Sequence, residues 1–304
     1  MPTPKQQYIN ELNTISERFG SLEDTTIKRM LTMVKELRAQ IAVELGTGTD
    51  FDQFKAAQQT AALNALVTNF QAQLQDEVAA AVNDAYEFGG QSVAEPFIAL
   101  GITDVFFRPN PAQLNVLLDF SARTIDKIGN DLRGEIDQQI RLAALGQKNI
   151  TQTMKDITTA LIGAGKARVG IWKDRHDPVG GIAARSETIL RTELQRVFNL
   201  STFSQQQASA ERIPGLTKSW MATGDIRTRP SHLRAHVTYK NKPIPINEPF
   251  IVGGHKLMYP GDPRGPPEET INCRCRPITH HPAVGPVGSS LDGRIAAELK
   301  RRGT

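Results

Sequence analysis

The side chains best equipped for chemistry are His232, His236, Cys273 and Cys275. Thiolates and imidazoles bind transition metals, and imidazoles move protons near neutral pH. Five of the six histidines (His232, His236, His255, His280 and His281) and both cysteines lie after residue 230. A helix opening at Pro230 puts His232 and His236 four residues apart on one face. Cys273 and Cys275, two apart in an extended segment, share a face as well. Zinc could then be held tetrahedrally by His232, Cys273 and Cys275, with His236, Asp225 or His255 as the fourth ligand. A metal would cross-link a segment rich in proline and glycine that buries little apolar surface. The alternative is two packed thiols beneath a loop, and a C-x-C pair without a second pair leaves both readings open.

A second set is charged and polar: Arg191, Glu193, Asp225, Arg227, Arg229, Asp262 and Asn272. Arginine–carboxylate bonds among these residues would fix loops against one another. Arg191 and Glu193 are two apart on a helix, so each is expected to bond a different neighbouring segment. An enzymatic reading takes His232 as general base and Arg227 with Arg229 as a phosphate clamp, as in a nuclease or nucleotide transferase. No convincing nucleophile or metal–carboxylate set accompanies it, so the chain is expected to be a non-enzyme. Gly163-Ala164-Gly165-Lys166 lacks the spacing of a phosphate loop and reads as a helix end. Trp220 is expected in the core, and His176 in a polar linker, 174–181.

These residues must be positioned by a chain that is helical for most of its length. Apolar side chains recur at helical spacing over 5–45, with a break expected at Gly20-Ser21. A long helix is expected from Asp50 or Asp52 to Gly89-Gly90, another over 114–144 with an interruption near Gly134, a short one over 150–162, and a strong one over 182–212. Val105-Phe106-Phe107 reads as a short strand or an anchor. Beyond Pro214-Gly215 the pattern changes to short strands around 216–222 and 257–259, separated by turns. The fold class is therefore α+β, with a long helical N-terminal part and a small, turn-rich C-terminal domain. The division expected is a helical region over 1–110, a helical connector over 111–181, the α+β domain over 182–280 and a basic flexible tail over 281–304.

Composition bounds the rest. At 304 residues, with 39% hydrophobic and 22% charged side chains, the chain suits a soluble protein of one or two domains. No apolar run approaches the roughly 20 residues of a membrane span, and residues 1–7 do not read as a signal peptide, so no membrane anchor and a cytoplasmic origin are expected. Cysteines in that compartment are free thiols or metal ligands. From Ile213 to Thr304 there are 14 Lys and Arg against 7 Asp and Glu, a balance of +7 in a chain whose total is +4. The first 212 residues therefore carry −3, and a basic C-terminal part is compatible with nucleic acid nearby.

The ordered set Arg191-Thr192-Glu193, Asn199, Trp220, Asp225-x-Arg227-Thr228-Arg229-x-x-His232, Pro249-Phe250, Tyr259-Pro260-Gly261-Asp262-Pro263 and Asn272-Cys273-Arg274-Cys275 resembles the phage minor head protein family. This is the head morphogenesis family whose type is the F protein of phage Mu. The resemblance runs from about Ile182 to Pro277 and more weakly back to Leu114. One departure stands out: the family's Asp-Gly turn after the histidine is replaced by Tyr239-Lys240-Asn241-Lys242. The resemblance implies a minor head protein of a tailed phage, acting in head assembly, genome packaging or early genome delivery. It implies association with the portal protein, with the helical region over 1–110 as the portal- or capsid-docking part, and contact with major capsid or scaffolding protein or with double-stranded DNA. It places the chain in the virion, at the head interior or portal vertex, and in the host cytoplasm during assembly. A DNA-binding ejection protein is the further alternative.

Overall fold

The computed structural model describes residues 2–46, 53–103, 105, 107–162, 181–281, 284 and 292–302. Five helices come first: α1 Pro4–Gly46, α2 Gln53–Ala99, α3 Pro111–Ala144, α4 Ile150–Ile162 and α5 Gly181–Ala210. A mixed region follows: β1 Thr217–Met221, α6 Pro230–Asn241, β2 Ile244–Pro245, β3 Phe250–Val252, β4 His255–Leu257, α7 Pro267–Thr270, β5 Arg276–His280 and α8 Asp292–Arg302. The class is α+β, as the sequence predicts. The linker 174–181, apart from Gly181, and the glycine-lysine stretch 163–166 lie outside the described residues. No helix among the described residues is long and apolar enough to cross a membrane.

Three expected helix breaks are absent. Gly20 and Gly134 sit inside α1 and α3 with open space where a Cβ would be. A helical glycine costs only about 1 kcal/mol, which burial of a continuous apolar stripe offsets. Gly89 and Gly90 do not end α2 either, which runs on to Ala99 past Pro96. They are sites of close packing. A Cβ on Gly89 would stand 2.3 Å from the Phe198 carbonyl oxygen, and one on Gly90 would stand 2.0 Å from the Phe107 ring. Val105 is buried and Phe107 packs on Tyr86, and each of these two residues serves as an anchor outside any strand.

The residues group into two compact units, and because the helices are long, α1, α2, α3 and α5 each contribute to both. One unit comprises 24–80 and 116–190. Its core is built from Met30, Val34, Leu37, Leu63, Val67, Leu74, Leu132, Ile136, Ile157 and Leu161. Gly129 lets Gln71 lie flat on α3, and Arg133 donates to Gln71 and to the Thr68 hydroxyl.

The other unit comprises 1–23, 81–115 and 191–304. Its sheet has the order β2-β1-β5, antiparallel, with Thr217 opposite His280 and Met221 opposite Arg276. The hairpin β3-β4 turns at Gly253-Gly254, both at positive φ (59° and 85°), as a two-residue hairpin turn requires. Trp220, Leu233, Tyr239, Phe250, Leu257, Cys273 and Cys275 form one core cluster. Tyr8, Val93, Phe97, Val105, Phe203, Leu216 and Tyr259 form another. Helix α8 is ordered, with Ile295 buried in the first cluster and Arg302 donating to the Thr228 and Ile226 carbonyls, both at 2.8 Å.

Candidate functional site

Helix α6 begins at Pro230, whose missing N–H costs nothing at a helix start. It presents His232 and His236 to the interior, 1% and 3% exposed. The stretch before β5 carries Cys273 and Cys275 against the same place, 2% and 1% exposed. His232 Nδ1 lies 3.2 Å from Cys275 Sγ and 3.7 Å from Cys273 Sγ. Its other nitrogen, Nε2, lies 2.8 Å from Glu269 Oε2 on α7, and the Ser231 hydroxyl donates to the same oxygen at 2.9 Å. Gly253 makes room for this carboxylate, since a Cβ there would stand 2.1 Å from Glu269 Oε1. The Trp220 ring meets His232 edge-on at 5.2 Å.

The electrostatics follow from this packing. Burial opposes a charge on His232, but Cys273 and Glu269 outweigh it and hold the imidazole up at about 9. Hydrogen bonding from Cys275 and the neighbouring His232 favour the Cys273 thiolate, whereas burial and Cys273 push the Cys275 thiol up. His232, Cys273 and Cys275 are thus brought together as expected. The other ligand candidates are not. His236 accepts the Ala222 N–H at Nδ1 (3.4 Å) and stays outside the group, because it lies a full helical turn further along α6. Asp225 is engaged elsewhere, and His255 is exposed on β4.

The charged set does join segments, though often through partners other than those expected. Asp225 receives both guanidinium nitrogens of Arg274, at 2.7 and 2.8 Å, and the Thr228 hydroxyl at 3.0 Å. Burial works against its charge, yet these donors bring its carboxyl down to about 2. Arg227 is 3.9 Å from Asp225 and largely solvated. Arg229 donates to the Ile271 carbonyl at 2.6 Å, pinning the start of α6 to the end of α7. Asp262 is 1% exposed. It accepts the Met258 and Arg264 N–H groups and the Arg264 guanidinium, which closes the 258–264 loop on itself. Arg191 reaches Glu23 at 2.6 Å, a different segment, as expected. Glu193 instead pairs within α5, with Arg196 at 2.9 Å, and burial raises its carboxyl. Asn272 adopts φ 53° and donates its N–H to the Thr192 hydroxyl at 2.9 Å.

Sequence reasoning missed Glu269 and Arg274 as partners. Arg274 stood inside the N-C-R-C motif, so its position signalled a role without naming Asp225. Glu269 had no signal beyond lying in a P-P-E-E run. Asn199, part of the motif set, proves to be a tie: it is fully buried and donates to the Pro260 carbonyl at 2.8 Å and the Cys275 carbonyl at 2.9 Å.

Fold and site define a class first: a largely helical chain ending in a small α+β module, whose buried polar side chains mostly join one backbone segment to another. Residues 144–278 match the family described as Phage Mu protein F like protein, so this stretch of the chain is similar to that family. A curated relative, the NAD(+)–arginine ADP-ribosyltransferase EFV of Enterococcus faecalis, is 27% identical over 141 residues. That similarity covers 46% of this chain and 27% of the relative, so the chain spans about a quarter of that protein's length. No solved structure matches.

Proposed function

We propose that this chain is a phage head morphogenesis protein and works as a minor head component at the portal vertex, in head assembly or in genome packaging and delivery. The family match over 144–278 carries the reading, since it spans β1, α6 and the Cys273-Cys275 stretch and reaches into β5. The inward bonding of Asp225, Asp262, Arg191 and Arg229 supports it, because those groups are engaged in holding loops. The partner is the portal protein, with major capsid or scaffolding protein and double-stranded DNA as further contacts. Purified chain mixed with the cognate portal should co-elute on size exclusion, and virions should carry a few copies by quantitative mass spectrometry. Heads assembled without the chain that package DNA and infect at normal titre would refute the proposal.

A second reading, an enzyme acting on a nucleotide, is favoured by the similarity to the ADP-ribosyltransferase. Of the residues it would use, His232 is 1% exposed and Arg229 is bonded to Ile271, while Arg227 faces solvent. Incubation with NAD should give no release of nicotinamide. Turnover abolished by Arg227→Ala would establish the enzyme instead.

A further inference from the structure

The group formed by His232, Cys273 and Cys275 is unusual for its convergence: one nitrogen and two sulfurs, all buried, lie within 4.8 Å of one another. A metal-free core handles this poorly. The Nδ1 lone pair can accept only one S–H, so the second buried thiol is left with sulfur, a weak acceptor, as its partner. If instead a thiolate forms, the His232 ring stands between it and the Glu269 carboxylate, so that one imidazolium faces two negative charges, and burial of unbalanced charge is costly.

A divalent cation resolves both difficulties, and the distances suit zinc. With zinc–sulfur and zinc–nitrogen lengths of about 2.3 and 2.05 Å, a tetrahedral angle separates the two ligand atoms by about 3.6 Å. The observed separations, 3.2 and 3.7 Å, bracket that figure. The surroundings agree. Glu269 faces Nε2, so the imidazole donates its proton there and turns the Nδ1 lone pair toward the sulfurs. A carboxylate behind a histidine is the usual device for orienting a metal-binding imidazole. The Trp220 indole N–H is fully buried without a hydrogen-bond partner. A metal-bound thiolate would be the acceptor for it.

We propose that Cys273 Sγ, Cys275 Sγ and His232 Nδ1 bind one zinc ion, with Glu269 as the positioning carboxylate. Among the described residues no fourth His, Cys, Asp or Glu joins the group, so a water or other small ligand completes the tetrahedron. The ion ties α6 to the segment that feeds β5, across a module whose strands are only two to five residues long. This inference goes beyond the portal reading and does not depend on it.

The test uses the full-length, tag-free chain purified under reductant. Elemental analysis should find about one zinc per chain that survives dialysis, and Cys273→Ser, Cys275→Ser and His232→Ala should each lose it. Glu269→Gln, which keeps all three ligands, should weaken zinc affinity roughly 10- to 100-fold. Because the ligand variants could misfold, wild-type chain loaded with cobalt gives an independent readout: a sulfur-to-cobalt charge-transfer band with intense visible bands of tetrahedral cobalt. Absence of that band overturns the proposal. So does zinc content unchanged in the Cys273→Ser/Cys275→Ser double variant, or a Cys273–Cys275 disulfide that persists in the folded chain purified under reductant.

Discussion

Asn199 shows how much one side chain can hold. Its amide donates to two carbonyls in segments 61 and 76 residues away, one within the Asp262 loop and one at the end of the cysteine pair. Asn199→Ala leaves both carbonyls buried without a donor, at about 1–3 kcal/mol each. Urea unfolding should therefore show a loss of roughly 2–6 kcal/mol, whereas a loss under 1 would mean water replaces the amide. Lys218 carries a pH dependence. It is fully buried, donates from Nζ to the Met258 carbonyl at 2.8 Å, and lies 4.7 and 4.9 Å from the Phe203 and Phe250 ring centres. Burial pushes its pKa down to about 7, while an unfolded lysine titrates near ~10.4. Between those values the unfolded chain holds a proton the folded chain has released, so stability rises with pH, by up to about 1.4 kcal/mol per unit. Below pH 7 the lysine is charged in both states and its contribution is flat. Unfolding free energies at pH 7 and 9 should show a smaller rise for Lys218→Met than for wild type; identical slopes would mean that Lys218 titrates normally. Neither residue could be read this way from sequence. Asn199 stood in the motif set without a partner, and Lys218 looked like one polar position in an alternating strand, because the carbonyls that define both roles come from distant segments.

At the scale of elements, glycine separates what sequence tells from what packing decides. Gly89-Gly90 and Gly134 look alike in sequence, as weak points in an apolar helical pattern. In the fold they are opposites. Gly89 lies against backbone, the Phe198 carbonyl, which cannot rotate away, while Gly134 faces open space. Gly134→Ala should stabilise the chain by about 0.5–1 kcal/mol, the ordinary helix gain. Gly89→Ala should destabilise it by more than that gain, roughly 1–3 kcal/mol, as overpacking does. Melting temperatures moving the same way for both would disprove this account of α2 and α5. Helix existence was legible because apolar periodicity is a local signal; α4 and α5 fall within a residue or two of their expected ends. Helix continuity was not, because it rests on what lies opposite each glycine. Strand β5 escaped notice for a related reason: Arg276-Pro277-Ile278-Thr279-His280 has little pattern of its own and is a strand because β1 pairs with it along its whole length.

At the scale of the molecule, the sequence change at Pro214-Gly215 suggests a module that begins near Ile182 and stands alone. The packing of its unit argues against independence. The Tyr8 hydroxyl on α1 donates to the Thr279 carbonyl of β5 at 2.7 Å. Arg276 donates to the Ser16 carbonyl at 3.2 Å and lies 5.0 and 5.3 Å from the Phe19 and Phe198 ring centres. Tyr8, Val93, Phe97 and Val105 share a core cluster with Phe203, Leu216 and Tyr259. Cutting away residues 1–181 would uncover that apolar cluster and strip Arg276 of the surroundings it is buried in, and each large buried side chain lost from a core costs on the order of 2–5 kcal/mol. Losses on that scale equal or exceed the 5–15 kcal/mol by which ordinary domains are stable. A fragment of residues 182–304 should therefore aggregate or unfold without a cooperative transition. Adding residues 1–23 as a separate peptide should not restore it, since the 81–115 segment is missing as well. A fragment that melts cooperatively and shows the dispersed amide spectrum of a packed protein would restore the independent module that the sequence suggests.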